Sequence, residues 1–354
     1  MELSGIRRRI DAIDCEIVAL LKERLDLGLR AARRKAAVRD PGREADVLSR
    51  VRGAAARPCT PALAEELFRR VIDESCAAQE AGLRLVGFQG QHGAYSERAA
   101  LAIDPECVPM PCVELSEVFA GVESGDLDAG VVPVENTVEG QVARVDEALA
   151  ASALCVAAEA ILPIRHALLA PRGASHRELR VVYSHPQALG QCREFLARNG
   201  LEARPCYDTA GAARLVARDA NPGTAAIAGA RCAEIYDLEI IKDGIEDDPS
   251  NATRFVMISK APAPRGDKCS LAFVTADAAG SLHAALGPFA AAGINLTRIA
   301  SAPSPLVPGN YLLSLDLEGS AADPRVAAAI EAVRAGAIRF RFLGCYPAAA
   351  ARVS

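Results

Sequence analysis

The chain has 354 residues, 51% of them hydrophobic and 24% charged, a balance that excludes a mainly disordered or fibrous protein and suits two or three domains of roughly 150 residues each. The formal charge of −5 is unevenly spread, with 16 basic against 14 acidic residues in 1–82, and neither part is basic enough to predict a nucleic-acid partner. No run approaches the roughly 20 apolar residues of a membrane span and the N-terminus lacks a signal-peptide pattern, so a cytoplasmic protein with no membrane partner is expected. Eleven scattered cysteines without a C-x-x-C pair, and five histidines, predict neither a disulfide framework nor a metal site.

From Leu3 to about Val38 the apolar residues Leu3, Ile6, Ile10, Ile13, Ile17 and Leu20 recur every three or four positions, which predicts one amphipathic helix. At ~1.5 Å per residue it would be about 50 Å long, more than so small a segment can cover, and a helical partner is implied. A second helix is expected from Pro41 to the stretch 53–58, and a third from the Thr60 cap and Pro61 to Gly82. At residue 83 the pattern changes to short apolar runs at 83–88, 129–134, 179–184, 225–229 and 254–259, separated by turns and helical periods. Such alternation predicts an α/β sheet. The Pro/Gly/charged stretch 261–268 reads as a linker. After it a strand (Cys269 to Thr275), a helix (Ser281 to Ala292), two strands (Ile294 to Ala302, Tyr311 to Glu318), a helix (Pro324 to Gly336) and a strand (Phe340 to Tyr346) make a βαββαβ order, which is ferredoxin-like. The expected fold class is multidomain: all-α over 1–82, α/β over 83–260 and α+β over 268–346.

Within the helical segment, Arg24 and Lys35 are 11 residues apart and fall within about 20° of one helix face, so they can grip one ligand. Arg7 lies about 100° away from Arg24 on the same helix and would point into a partner's site instead. Ser75 and Gln79 form an i, i+4 pair on the third helix. Spacing alone favours a solvated surface. Taken together, however, Arg7, Arg24, Lys35, Asp40, Arg43, Glu44, Ser75 and Gln79 resemble the pattern of the all-α chorismate mutase domain at every position. That resemblance implies two chains interlocked through the long helix, with the first arginine crossing into the neighbour's site. It implies as substrate chorismate, a dicarboxylate that rearranges to prephenate once folded and charge-stabilised, with no cofactor. Arg7, Arg24 and Arg43 would hold carboxylates, Lys35 and Gln79 would donate to the breaking ether oxygen, and Glu44 with Asp40 nearby would take the ring hydroxyl.

In the α/β segment four polar clusters, 88–96, 133–137, 184–192 and 251–255, interrupt the apolar runs at strand ends, where open α/β sheets bind ligands. Together they resemble prephenate dehydratase over 83–260, and the T-R-F of the last cluster is the most specific mark. The implied fold is a pair of α/β subdomains like those of periplasmic binding proteins, with the site in the cleft between them. The implied substrate-binding residues are Glu135, Asn136, Thr137, Ser184, Gln191 and Arg254, with Thr253 catalytic. Prephenate would lose carbon dioxide and its ring hydroxyl to give phenylpyruvate, with Thr253 donating a proton to the departing group or orienting it. Arg254 reads as a carboxylate clamp or a structural ion pair, and His185 as a general acid or a strand-end structural histidine. Neither a P-loop nor a G-x-G-x-x-G spacing is present to call for a nucleotide cofactor.

Residues 268–346 resemble the ACT regulatory domain through GSLHAAL at 280–286 and GINLTRI at 293–299. An amino-acid effector held around Gly280, Ser281, Leu282 and Asn295 is implied. The family's usual E-S-R-P is here Ala300, Ser301, Ala302 and Pro303, so phenylalanine is expected to act weakly. The expectation for the whole chain is a bifunctional enzyme of phenylalanine biosynthesis, a homodimer or larger homo-oligomer. Its rivals are a dehydratase that uses arogenate and a non-catalytic aromatic amino-acid sensor.

Overall fold

The computed structural model describes residues 3–349 and divides into two compact units, Met1–Arg84 and Leu85–Ser354. The first unit is three helices, α1 (Leu3–Ala32), α2 (Pro41–Ala54) and α3 (Pro61–Glu80). Two of the starts fall where the sequence predicts, with Pro41 and Pro61 in the first turns and Thr60 accepting from the Leu63 N–H at 3.3 Å; Asp40, not expected as a cap, accepts from the Arg43 N–H at 3.0 Å.

Helix α1 stops six residues short of the expected Val38. Residues 30–37 offer only alanine among polar side chains, so no large apolar group remains to hold another turn against a neighbour. The helix tightens through i to i−3 bonds at Arg33, Arg34 and Lys35, and Pro41 keeps the preceding residue out of the helical region. The apolar stripe of α1 does not find cover within its unit: Leu3, Ile6, Ile10, Ile13, Ile17 and Leu20 are 40–62% exposed.

The second unit opens with β1 (Leu85–Gln89), α4 (Tyr95–Ile103), β2 (Val108–Cys112), α5 (Leu115–Ser124), β3 (Ala129–Asn136), β4 (Gly140–Gln141), α6 (Ala143–Ala151) and β5 (Cys155–Pro163). It continues with β6 (Ala167–Pro171), β7 (Val181–Ser184), α7 (Pro186–Gln191), α8 (Arg193–Arg198), β8 (Glu202–Pro205), α9 (Thr209–Asp219), β9 (Thr224–Ala228), α10 (Arg231–Ile235) and β10 (Leu238–Lys242), and returns through β11 (Ala252–Ser259). The first sheet runs β2-β1-β3-β11-β5 with β4 beside β3, and the second runs β10-β6-β9-β7-β8. The chain crosses between the sheets twice, after β5 and before β11, which makes two α/β subdomains with their connections side by side. Strands β2, β4, β5, β6, β8 and β10 escape the sequence reading. Two prolines punctuate β2, the β5–β6 stretch is rich in alanine, and all four residues of β8 are exposed, so none shows a clear period of two.

The chain ends in β12 (Lys268–Val274), α11 (Ser281–Ala291), β13 (Leu296–Pro303), β14 (Tyr311–Glu318), α12 (Pro324–Gly336) and β15 (Arg339–Tyr346). Its antiparallel sheet has the order β13-β14-β12-β15, the ferredoxin-like arrangement expected. One face packs α11 and α12 over Leu271, Phe273, Leu315 and Leu317. Among the described residues, no helix is long and apolar enough to cross a membrane.

Candidate active sites

The helical unit contains a cavity of about 560 Å³ lined by Arg24, Lys35, Asp40, Arg43, Glu44, Ser75 and Gln79, seven of the eight residues expected there. Leu27, Val47, Phe68 and Ile72 make its apolar walls. Lys35 reaches the cavity by a different route from the one expected. It lies beyond the end of α1, so the shared helix face with Arg24 does not exist and the turn after Ala32 delivers it instead. Asp40 serves as the cap of α2, which sets Arg43 and Glu44 in that helix's first turn. Gln79 donates to the Ser75 hydroxyl at 3.1 Å.

Gly28 was not singled out from the sequence, yet it decides how closely α1 approaches α3. A Cβ there would lie 2.7 Å from Ser75 Oγ and 3.5 Å from Gln79 Nε2, so the position tolerates the ~1 kcal/mol that glycine costs inside a helix relative to alanine. The charged lining residues are Arg24, Lys35, Arg43 and Arg50 against Asp40 and Glu44, an excess of two positive charges suited to a dianion. One Glu44 oxygen and the Gln79 carbonyl oxygen are buried without a partner among the described residues, as befits groups awaiting a ligand. Arg7 does not line this cavity; it is exposed on α1, some 26 Å along the helix from Arg24 at ~1.5 Å per residue.

The second site forms where β3 ends and β11 begins. Three of the four polar clusters follow strand ends, but residues 251–255 open β11; because β11 runs antiparallel to β3, Thr253 lies opposite Asn136 and Arg254 opposite Glu135. The Asn136 amide donates to Thr253 Oγ1 at 2.9 Å and to Asn251 Oδ1 at 2.8 Å, while its carbonyl accepts from the Val138 and Glu139 N–H groups. Thr137 pairs with Ala252 through its backbone N–H and its hydroxyl oxygen. From the second subdomain, Gln191 Oε1 accepts from Asn251 Nδ2 at 3.0 Å and faces His166 Nε2 at 3.0 Å. A continuous set of side chains, His166, Gln191, Asn251, Asn136 and Thr253, thus spans the two subdomains.

Tyr95 and Asn251 lie in two of the polar clusters but were not singled out there, and His166 was missed because it stands beside an apolar run with no spacing signal. Burial pushes His166 below the ordinary histidine value, partly offset by Gln191 and Glu246, which leaves a neutral ring with its proton on the nitrogen facing the Gln191 carbonyl. Tyr95 donates to the Arg165 carbonyl, and burial raises its phenol well above the ordinary value.

Three of the expected substrate contacts have partners within the protein. Arg254 is buried, with its guanidinium bonded to Glu159, Asp316 and Tyr346, the geometry of the ion pair that the sequence left open beside the clamp. Glu135 faces the same way, 4.0 Å from Arg298, which in turn holds Asp146 through two bonds of 3.0 and 2.6 Å. Ser184 is fully buried and commits its proton to the Ile227 carbonyl at 2.6 Å. His185 takes the structural reading: its Nδ1 accepts from the Gln187 N–H and caps α7. Among the described residues, no group of three His, Cys, Asp or Glu side chains could hold a metal ion.

Comparison with known proteins places residues 86–263 in the family described as prephenate dehydratase and residues 6–80 in that described as chorismate mutase type II. A bifunctional chorismate mutase/prephenate dehydratase of Neisseria gonorrhoeae is 36% identical, covering 97% of this chain and 96% of that protein. An arogenate dehydratase/prephenate dehydratase of Arabidopsis thaliana is 38% identical over 74% of this chain and 71% of its own length. Among solved structures, prephenate dehydratase of Arthrobacter aurescens in complex with L-Phe superposes with a TM-score of 0.69 at 31% identity, covering 74% of this chain and 90% of that one. GqqA, described as a novel type of quorum-quenching acylase, has the same TM-score and identity over 75% of this chain and 98% of its own.

Proposed function

The chain belongs to the bifunctional chorismate mutase/prephenate dehydratase family, and on that premise we propose how its parts divide the work. The enzyme converts chorismate to prephenate and prephenate to phenylpyruvate, two steps of phenylalanine biosynthesis. We assign residues 1–82 to the mutase, 83–260 to the dehydratase and 268–346 to an ACT regulatory domain. The observation that carries the mutase assignment is the cationic cavity, whose excess of two positive charges matches a dicarboxylate.

At the mutase site Arg24 and Arg43 hold the carboxylates while the apolar walls press the substrate into its reactive, folded shape. Lys35 and Gln79 donate to the ether oxygen as negative charge grows there, and Glu44 accepts from the ring hydroxyl. Gln79 donates at any pH, since an amide does not titrate. Arg7 completes the site of a second copy of the chain, whose docking covers the exposed stripe of α1.

At the dehydratase site the electrons of the breaking bond to the carboxylate flow into the ring and expel the ring hydroxyl, and aromatisation drives the step. The Asn136 amide donates to Thr253 Oγ1, which leaves the Thr253 proton directed elsewhere, toward the departing hydroxyl. Thr137 and Gln191 frame the same cleft. We take prephenate as the substrate of this step, the one in the name of the full-length relative from Neisseria gonorrhoeae. The L-Phe complex of the Arthrobacter relative supports an amino-acid effector held around Gly280, Ser281, Leu282 and Asn295. Ala300 and Ala302 are buried in β13, with no charged side chain of their own to offer that effector, so a weak response to phenylalanine is expected.

Incubating the protein with chorismate, and separately with prephenate and arogenate, while following prephenate and phenylpyruvate tests the whole scheme. Lys35→Ala should lower mutase turnover by ~10²- to 10³-fold and leave dehydratase turnover on supplied prephenate intact. A joint loss of both activities in a folded variant would overturn the assignment of two separate sites.

A further inference from the structure

Away from both sites, strands β12, β14 and β15 and the helices α6 and α12 line a cavity of about 630 Å³, a volume typical of small-ligand pockets. Ala150, Ala272, Leu306, Leu312 and Phe342 contribute to its apolar wall, and its charged lining residues are Arg334, Arg339 and Arg341, with no acidic side chain among them. Arg339 is exposed and makes no side-chain hydrogen bond or ion pair among the described residues. Arg341 donates from Nη2 to the Leu154 carbonyl at 2.6 Å, yet its buried Nε has no acceptor. Arg334 lies 4.9 Å from the centre of the Phe340 ring, and its 3.4 Å contact with Glu331 joins two largely exposed side chains. The carbonyl end of α6 supplies an opposing partial charge of about half a unit, which three guanidinium groups outweigh. None of Gly280, Ser281, Leu282 and Asn295 lines this cavity.

We propose that this cavity binds a small aromatic carboxylate that carries no ammonium group, a class that includes the 2-oxo acid formed by the dehydratase reaction. The planar guanidinium groups match a carboxylate, the apolar wall receives the ring, and an α-ammonium would meet positive charge with no acidic lining partner.

Calorimetry on the full chain with 3-phenylpropionate tests this, with the arginine variants titrated beside the parent chain so that any binding at the two active sites is common to all and cancels in the comparison. One bound equivalent is expected, weakened tenfold or more by Arg339→Gln or Arg341→Gln, as loss of a charge-assisted bond implies. The neutral amide 3-phenylpropanamide should bind at least tenfold more weakly, and phenylalanine should not displace the carboxylate. With only Arg339→Gln introduced, both reactions should keep their turnover. Equal affinity in the folded Arg339→Gln variant, equal affinity for the amide, or displacement by phenylalanine would each overturn the proposal. Because Arg341 also supports the Leu154 carbonyl, the exposed Arg339 keeps the test decisive if Arg341→Gln fails to fold.

Discussion

Asn136 and Thr253 differ from their chain neighbours Glu135 and Arg254 by a single step along a strand, and that step separates the polar side chains that link the two subdomains from the ion pairs toward the C-terminal sheet. Side chains alternate across a sheet, so opposite residues Asn136 and Thr253 share one face and Glu135 and Arg254 the other. The first pair hydrogen-bonds to each other beside Gln191 and Asn251, whereas the second meets Arg298, Glu159 and Asp316 near the C-terminal sheet. Thr253→Val keeps the shape but removes the hydroxyl and leaves the Asn136 amide one acceptor fewer. Phenylpyruvate formation should slow by ~10²-fold while prephenate still binds, as single-turnover kinetics with binding measured in parallel would report. Near-normal turnover would transfer the role to water or to another group in the cleft.

At the scale of elements, Arg254 ties β11 to three other strands, reaching Glu159 on β5, Asp316 on β14 and Tyr346 on β15, while Lys268 on β12 holds the same Glu159 at 2.9 Å. Burial opposes ionisation of Glu159, but Arg254, the Ala349 N–H and Lys268 together outweigh it and hold the carboxyl below its ordinary value of 4.5. A carboxyl depressed in the folded state contributes its stability above about pH 4.5 and loses it as pH falls through the lower folded value. Arg254→Met would leave two buried carboxylates short of a cation and should cost ~3–5 kcal/mol at pH 7. The gap between variant and wild type should narrow toward pH 4, because the unpaired carboxyls then protonate first. Urea denaturation at both pH values checks this. Unchanged stability together with a raised KM for prephenate would return Arg254 to the role of substrate clamp.

At the scale of the whole molecule, the apolar stripe of α1 is continuous and uncovered within its unit, and Arg7 sits on that helix far from the cavity its own chain builds. A second copy of the chain is the occupant that resolves both facts at once, burying the stripe and receiving Arg7. Arg7→Ala and Lys35→Ala should each be inactive as mutases alone. Co-folded, they should recover up to half of the activity expected of intact sites in the mixed dimer, since one of its two sites has both residues. Verified mixed dimers without any recovery would remove Arg7 from the neighbour's site.

That seven of the eight positions expected together in the helical unit line one cavity was legible in the sequence because they are chemically distinctive residues at set spacings, and the β12 to β15 order was legible because each element has its own period. Capping was local too: Asp40 and Thr60 act on N–H groups three residues away. What the spacing could not decide was where a chain would turn or which face a strand would bury. Lys35 reaches its cavity by a turn that forms when α1 runs out of apolar residues to pack, and Gly28 matters only because α3 comes within contact distance. The partners of Arg254 and Ser184 were not legible either, since contacts across 43 to 95 positions of chain are set by packing and register rather than by neighbours in sequence.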